Sequence, residues 1–137
     1  MRKIFLVVSS VLFFATDAFC IDDNPKEIAA KICLALQKMD YQELKKYADE
    51  PSIIKINKNE NLKIKTQEHI KLLPADKRIQ AQKSYDDKIW RAKSAMSALN
   101  CNNIIIMDGA DDDNKVALID NKPTSLKFIH GVWKLTQ

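Results

Sequence analysis

The spacing of hydrophobic residues predicts that the chain opens with two helices. From residue 25 onwards apolar side chains recur at intervals of three and four, and this helical pattern ends near Met39. Asn24 and Pro25 are typical of a helix start, because Asn caps the first amides and Pro fits the first helical position. Asp40 begins a second capping pattern, so we expect a second, short helix that Pro51 ends.

The pattern changes to a period of two between Ser52 and Thr66. Two alternating runs are separated by the polar residues 58–61, and their hydrophobic members are Ile54, Ile56, Leu62 and Ile64. This alternation predicts a β-hairpin with one solvated face. Lys55, Lys63 and Lys65 fall on that face, with Lys58 at the tip, and they are candidates for binding an acidic partner or an anionic envelope polymer. The alternative interpretation is that these lysines keep an exposed strand from pairing with other proteins.

A helical turn over residues 67–73 and then a long helix over residues 75–99 follow this segment. The hydrophobic stripe of the long helix steps four, three, four and three residues through Tyr85, Ile89, Ala92, Met96 and Leu99. At about 100° per residue, Trp90 lies on the opposite side of the helix. Two interpretations of Trp90 stay open: it anchors a binding partner, or it packs together with Ile79 beneath another element of the fold.

The last third of the chain predicts four strands. Residues 103–108 contain three consecutive isoleucines, which are typical of a central strand buried on both faces. Further strands are predicted over residues 115–120, 124–129 and 132–136, with a break at Pro123 and a tight turn at His130-Gly131. We expect Trp133 in the core. The order of elements predicts an α+β fold, with N-terminal helices and one long helix packed on a curved, mainly antiparallel sheet.

Residues 1–20 have the features of a secretory signal peptide, because basic residues precede the apolar run Ile4–Ala15. Cleavage after Cys20 is preferred to cleavage after Ala18, which leaves residues 21–137 as one mature domain. The apolar run is shorter than the roughly twenty residues that span a bilayer. We therefore expect a periplasmic or secreted protein with no stable membrane insertion.

The charge of the chain argues against a nucleic-acid partner. The formal net charge is +4, and it falls to +3 when Arg2, Lys3 and Asp17 leave with the signal peptide. Arg78 and Arg91 are then the only arginines. Because arginine performs most bidentate recognition of phosphates and base edges, we expect no nucleic-acid binding.

Cys33 and Cys101 remain after removal of Cys20, and we expect this exported pair to form a disulfide. Such a bond would stabilise the fold by about 4 kcal/mol in the chain-entropy model. The alternative interpretation is two buried thiols. His69 and His130 are isolated and no CxxC or HxxxH spacing is present, so we predict no metal site and no cofactor. The acidic residues around Gly109 lack the spacing of a calcium loop, which indicates a solvated turn.

Two segments resemble small exported members of the nuclear transport factor two-like superfamily. The first contains Ala29-Ala30, Ala35-Leu36, Met39-Asp40-Tyr41, Leu44 and Tyr47, and the second is Phe128–Leu135. The resemblance implies a curved sheet that wraps a helix into a cone with a pocket. Met39 stands where the family often has glycine, and His130 replaces an acidic residue. Asp40, Tyr41, Tyr47 and Asp120 are then the candidates for acid or base chemistry, although capping, packing and turn formation also account for them.

No residues form a recognisable catalytic set, so the leading hypothesis is an exported protein that binds without catalysing a reaction. Its most concrete form is an inhibitor or immunity-type module that masks a partner protein in the bacterial envelope. The alternative is a small-molecule binder with a cone pocket, or an isomerase or hydrolase that uses such a pocket.

Overall fold

The structure is a computed structural model that describes residues 24–137, and the predicted signal peptide lies outside the described residues. Four helices precede four strands, which confirms the predicted α+β class. The helices are α1 (Pro25–Gln37), α2 (Tyr41–Lys46), α3 (Glu50–Leu72) and α4 (Ala75–Ser97). The strands are β1 (Ile104–Asp108), β2 (Asn114–Ile119), β3 (Lys122–Ile129) and β4 (Val132–Leu135).

Both ends of α1 are capped as their residue types suggest. The Asn24 side chain accepts a hydrogen bond from the Lys26 amide at 2.9 Å. At the other end, Met39 has φ of 52°, and the Asp40 amide donates to the Ala35 carbonyl at 2.9 Å. The left-handed conformation of Met39 and the hydrogen bond from Asp40 to Ala35 form a Schellman motif, which ends the helix. Glycine is the residue that normally occupies the position of Met39 in this motif.

The four strands form one antiparallel sheet in the order β1-β2-β3-β4. Two-residue turns with positive φ connect β2 to β3 at Asp120-Asn121 and β3 to β4 at His130-Gly131. The turn at His130-Gly131 confirms its prediction. The predicted break at Pro123 is wrong by two residues, because Pro123 lies inside β3 and pairs with Leu118.

The prediction that the isoleucine strand is central is also wrong. β1 is an edge strand, since it pairs only with β2 in the sheet order. Ile104 is buried, whereas the next residue, Ile105, is 51% exposed. Three consecutive isoleucines do not require burial on both faces, because an edge strand in a one-sided sheet tolerates one outward apolar side chain.

Helix α1 packs against the sheet and provides much of the core. Its buried side chains are Ile28, Ala29, Ile32, Cys33 and Ala35. From the sheet, Ile104, Ala117, Ile119, Leu126 and Trp133 complete this core. Trp133 is therefore a core residue, as predicted, and its ring centroid lies 5.2 Å from that of Phe128.

The predicted β-hairpin between Ser52 and Thr66 is wrong, because these residues belong to α3. Pro51 was predicted to end the second helix. It lies instead in the first turn of α3. The alternation of period two covers only eleven residues. A helical period extends over the whole of α3, since buried or half-buried residues recur along it at spacings of four, four, three and seven: Ser52, Ile56, Glu60, Lys63 and Ile70.

The start of α3 is held by the C-terminal strand through contacts that we call the neck. The Asp49 amide donates to the Leu135 carbonyl at 2.9 Å, and the Leu135 amide donates to the Tyr47 carbonyl at 2.6 Å. The Asp49 carboxylate caps α3 by accepting from the Ser52 amide at 2.9 Å. It also accepts from the Thr136 hydroxyl at 2.7 Å. The neck therefore fixes where α3 leaves the sheet.

Candidate interaction surface on the helical hairpin

Helices α3 and α4 run side by side in opposite directions and form a hairpin, which we define as Glu50–Ser97. Each helix has 23 residues, which corresponds to a length of about 34 Å. Only Ser52 and Ile70 of α3 are buried, and no residue of α4 is buried. The hairpin is therefore the part of the described chain whose helices bury the least of their surface.

A shallow groove runs between the two helices near the tip of the hairpin. Its apolar lining comes from Leu62, Ile70, Ala81, Tyr85 and Ile89. Tyr85 and Ile89 belong to the stripe that the sequence predicted, and both are half-buried here. The stripe therefore divides: Tyr85 and Ile89 face α3, whereas Met96 and Leu99 pack against the main core.

The hairpin exposes several large hydrophobic side chains. Leu72 is 84% exposed, Ile79 is 77% exposed and Trp90 is 68% exposed. Ile54, Leu62 and Ile64 are also exposed, although the predicted β-hairpin placed them on its inner face. Sequence patterning missed the α3 part of this surface because it assigned the wrong period to that helix, whereas it singled out Trp90 on α4. Exposed apolar residues that recur along one element are typical of interaction sites.

Trp90 is not a core residue of the described chain, because most of its side chain is exposed. Ile79 precedes it by eleven residues, so the two side chains lie within about 20° of each other around the helix axis. Lys83 and Asp86 lie between them on the same face and are exposed. The face combines two large hydrophobic residues with a charged pair, a composition that protein interfaces use.

The three lysines that the sequence placed on one outer face do not share a face. Lys55 and Lys65 are exposed on α3. Lys63 is half-buried, donates to the Tyr41 hydroxyl at 3.1 Å and lies 4.5 Å from the Tyr41 ring centroid. Lys63 therefore attaches α3 to α2, and the prediction that it projects from a strand into solvent is wrong.

The hairpin carries the net charge of the described chain. It contains eleven Lys and Arg residues and six Asp and Glu residues, which gives a formal charge of +5. The other described residues contain nine of each type and are neutral overall. An ion pair of 2.6 Å between Lys45 and Glu60 joins α2 to α3. Uncompensated cations on the hairpin generate a positive field that attracts acidic surfaces.

The Cys33–Cys101 disulfide is present, with 5.6 Å between the two Cα atoms. Cys33 is fully buried in α1, and Cys101 follows the end of α4. Beside it, the Gln37 side-chain amide donates to the Leu99 carbonyl. These contacts hold the end of α4 against α1, so the hairpin is fixed at its α4 end by a covalent bond and at its α3 end by the neck.

The proposed acid–base candidates serve structural roles where the structure describes them. Asp40 caps α2 by accepting from the Glu43 amide at 2.9 Å. The Tyr47 hydroxyl donates to the Glu43 carboxylate at 2.8 Å, and this hydrogen bond together with burial raises the pKa of Tyr47. Tyr41 binds Lys63, and Asp120 lies in a turn. The four residues do not converge on one cavity.

Asp40 and Tyr47 do line one open hollow of about 300 Å³, together with Lys31, Lys38 and Glu43. Hydrogen bonds from Lys46 and Tyr47 lower the pKa of Glu43. The hollow lies on the solvent side of α1, since Lys31 and Lys38 are exposed while the opposite side of α1 packs on the sheet. Its lining comes from α1, α2 and the residues that flank α2, and none of it comes from the sheet.

The acidic segment around Gly109 forms a turn between β1 and β2. The Asp111 carboxylate accepts from the Asp113 amide at 3.1 Å and from the Asn114 side chain at 2.5 Å. A Cβ atom on Gly109 would lie 2.5 Å from the Asn114 carbonyl oxygen, so this position requires glycine. One carboxylate oxygen of Asp111 therefore stabilises the turn, and the Asp108 carboxylate accepts from Lys115 at 2.7 Å.

No family model, no curated protein and no solved structure matches this chain. Within residues 24–137, no helix combines the length and the apolar character needed to cross a membrane. The same residues contain no group of three or more His, Cys, Asp and Glu side chains placed to hold a metal ion.

Proposed function

We propose that the protein is exported to the periplasm or secreted, and that it binds and masks an acidic partner protein there without catalysing a reaction. The inhibitor or immunity type of function fits this description best. The observation that carries the proposal is the exposure of Trp90, at 68%, on a helix that buries none of its residues. Tryptophan is one of the residue types in which interface hot spots are enriched.

The charge of the hairpin supports the acidic character of the partner. A formal charge of +5 on Glu50–Ser97 would accelerate encounter with an acidic surface, and salt would weaken this effect. Lys55 and Lys65 are exposed and are the lysines that we assign to this role. Lys63 is not assigned to it, because its ammonium group is bound to Tyr41.

The anchorage of the hairpin supports a binding role as well. The disulfide and the neck fix both ends of the hairpin, so its surface is ordered before a partner arrives. A preformed surface binds more tightly than a flexible one, because less conformational entropy is lost in the complex. Inhibitors that mask a partner depend on this property.

The resemblance to the nuclear transport factor two-like superfamily stays a proposal, and with it the alternative of a cone pocket for a small molecule. The sheet gives the alternative little support, because α1 packs against the sheet and buried side chains occupy the space between them. Native mass spectrometry of the purified protein would favour the alternative if a bound lipid or metabolite accompanied the monomer.

Affinity capture from envelope extract tests the proposed function. The exported protein, biotinylated at its N-terminus, should retain one acidic protein in a stoichiometric amount at low salt. Trp90→Ala should lose this partner, whereas Ile105→Ala, which truncates an exposed hydrophobic residue on β1, should keep it. Equal capture by Trp90→Ala and the wild type would contradict the proposal.

A further inference from the structure

Four residues of α4 form a stripe with the spacing of a helix–helix interface. Ile79, Lys83, Asp86 and Trp90 step four, three and four residues along the helix, so they lie on one face. All four side chains are exposed, and none belongs to the hydrophobic core. We infer that this face pairs with the same face of a second copy of the chain, with the two α4 helices antiparallel.

The stripe is self-complementary about its own midpoint, between Ser84 and Tyr85. Ile79 and Trp90 are equally far from this point, and so are Lys83 and Asp86. A two-fold axis through the midpoint therefore places Ile79 of one copy beside Trp90 of the other, and Lys83 beside Asp86. Each of these pairs occurs twice, which is the property of an isologous interface.

The charges select the antiparallel orientation. Asp87 adjoins Asp86, so in this orientation Lys83 of each copy meets two carboxylates of the other. Nearer the helix ends, the same two-fold axis places Asp76 of one copy at the same height along the helix as Lys93 of the other, which are again opposite charges. A parallel pair would place Lys83 beside Lys83 and Asp86 beside Asp86, and such like-charge contacts are unfavourable.

Two arginines that share a level across this axis do not oppose the pairing. Arg78 and Arg91 would come to the same height along the helices. At about 100° per residue, however, both lie well away from the direction of Trp90. The Arg78 guanidinium also donates to the Leu73 carbonyl at 2.9 Å, so it is held at the tip of its own hairpin.

A shallow hollow on this face provides space for the tryptophan of the second copy. It is lined by Ile79, Gln82, Lys83 and Asp86, with Arg78 and Asp87 at its two sides. In the antiparallel pair, Trp90 of the second copy lies at the height of Ile79, at the edge of this hollow. A large aromatic side chain on one copy thus meets a depression on the other, and the arrangement repeats at the opposite end of the pair.

This self-association goes beyond the proposed function and does not depend on it. One pair of helices buries a small area, so we expect a dimer that dissociates on dilution. Trp90 would be used in both contacts, and an acidic partner would therefore compete with the second copy. Because the following experiment contains no partner, its outcome is independent of the capture experiment above.

Sedimentation analysis of the purified exported protein at increasing concentration tests the inference. The wild type should form dimers. Lys83→Glu should remain monomeric at the same concentrations, and so should the double variant Asp86→Lys/Asp87→Lys, because each creates like-charge contacts across the axis. An equimolar mixture of the two variants should dimerise again, since every contact then joins opposite charges.

Lys77→Glu is the matched control, because Lys77 is an exposed lysine of the same helix on another face. This variant should dimerise like the wild type. Circular dichroism should show that all variants stay folded, as expected for substitutions of exposed charges. A wild type that stays monomeric at every concentration would overturn the inference, and so would a variant mixture that fails to dimerise.

Discussion

The disulfide between Cys33 and Cys101 closes the loop that contains the whole α3–α4 hairpin. Cys33 lies in the helix that covers the sheet, and Cys101 lies where the chain returns from α4 to β1. The hairpin contributes little to the hydrophobic core, since most of its residues are exposed. Its position relative to the sheet therefore depends on the disulfide and on the neck.

Loss of the disulfide should destabilise the protein strongly. The two cysteines are 68 residues apart, and removal of the bond is expected to lower the free energy of unfolding by about 4 kcal/mol. This value lies within the range of about 2 to 5 kcal/mol that native disulfides contribute in small secreted domains. Urea denaturation with and without reductant measures this effect. The double variant Cys33→Ala/Cys101→Ala should be as stable as the reduced wild type, and reductant should not change its stability further.

Thiol titration of the denatured exported protein should find no free thiol at Cys33 or Cys101. Two reactive thiols would refute the bond.

The charge of Asp49 should stabilise the neck at neutral pH. Burial opposes ionisation of Asp49, but hydrogen bonds from Ser52 and Thr136 outweigh it and hold the pKa below its ordinary value of 3.8. A lowered pKa means that the stabilisation is present above the unfolded-state pKa, near 4, and is lost as the pH falls through the lower folded-state pKa. Asp49→Ala, which removes the cap of α3, should cost about 1 to 2 kcal/mol at pH 7.

Asp49→Asn isolates the charge in this prediction, because Asn also caps helices. The variant should be less stable than the wild type at pH 7, and the difference should shrink in denaturation curves recorded below pH 4. Thr136→Val removes one of the two donors and should reduce the pH-dependent part of the difference. A gap between wild type and Asp49→Asn that stays constant from pH 7 to pH 2 would contradict the role of the charge.

Replacement of Met39 by glycine should stabilise the protein. Met39 has φ of 52°, and a side chain in the left-handed region costs about 1 kcal/mol that glycine avoids. Part of this gain is offset because Met39 is half-buried, so we expect an increase of up to about 1 kcal/mol in the free energy of unfolding. Thermal denaturation measures the change. Lys38→Gly, at the preceding residue with φ of −85°, should have the opposite sign.

The sequence predicted the elements whose local signals agree with their surroundings. Asn24 and Asp40 cap helices, Pro25 occupies the first helical position and Gly131 completes a two-residue turn, because these residue types suit the local backbone. Trp133 and the cysteine pair were also placed correctly. In each case the local preference and the tertiary contact favour the same structure.

Residues 52–66 were predicted wrongly because their hydrophobic pattern does not describe burial. Ile54, Leu62 and Ile64 are exposed, so the alternation that they create has no buried face behind it. Asp49 caps α3 and Pro51 lies in its first turn, but in the sequence we interpreted Pro51 as the end of a helix. The contacts that join this helix to α2, from Lys63 to Tyr41 and from Lys45 to Glu60, link residues far apart in sequence and leave no local pattern.

The candidate surface was predicted only in part for the same reason. Trp90 stood out because it opposes the stripe of its own helix, and that argument needed only the helical period. The exposure of Leu72 depended on how α3 and α4 meet, which the sequence of either helix does not specify. The stripe packs on α3 through Tyr85 and Ile89 and on the main core through Met96 and Leu99. The face of Trp90 is left in solvent.

Comparison of Trp90→Ala with the wild type, in stability and in affinity for the captured partner, tests the central claim most directly. Because Trp90 is exposed, truncation should leave the melting temperature nearly unchanged. Affinity for the partner, measured by calorimetry, should fall by about 2 kcal/mol or more, as for other hot-spot tryptophans. A folded Trp90→Ala variant that binds the partner with wild-type affinity would contradict the claim that this face of the hairpin is the binding surface.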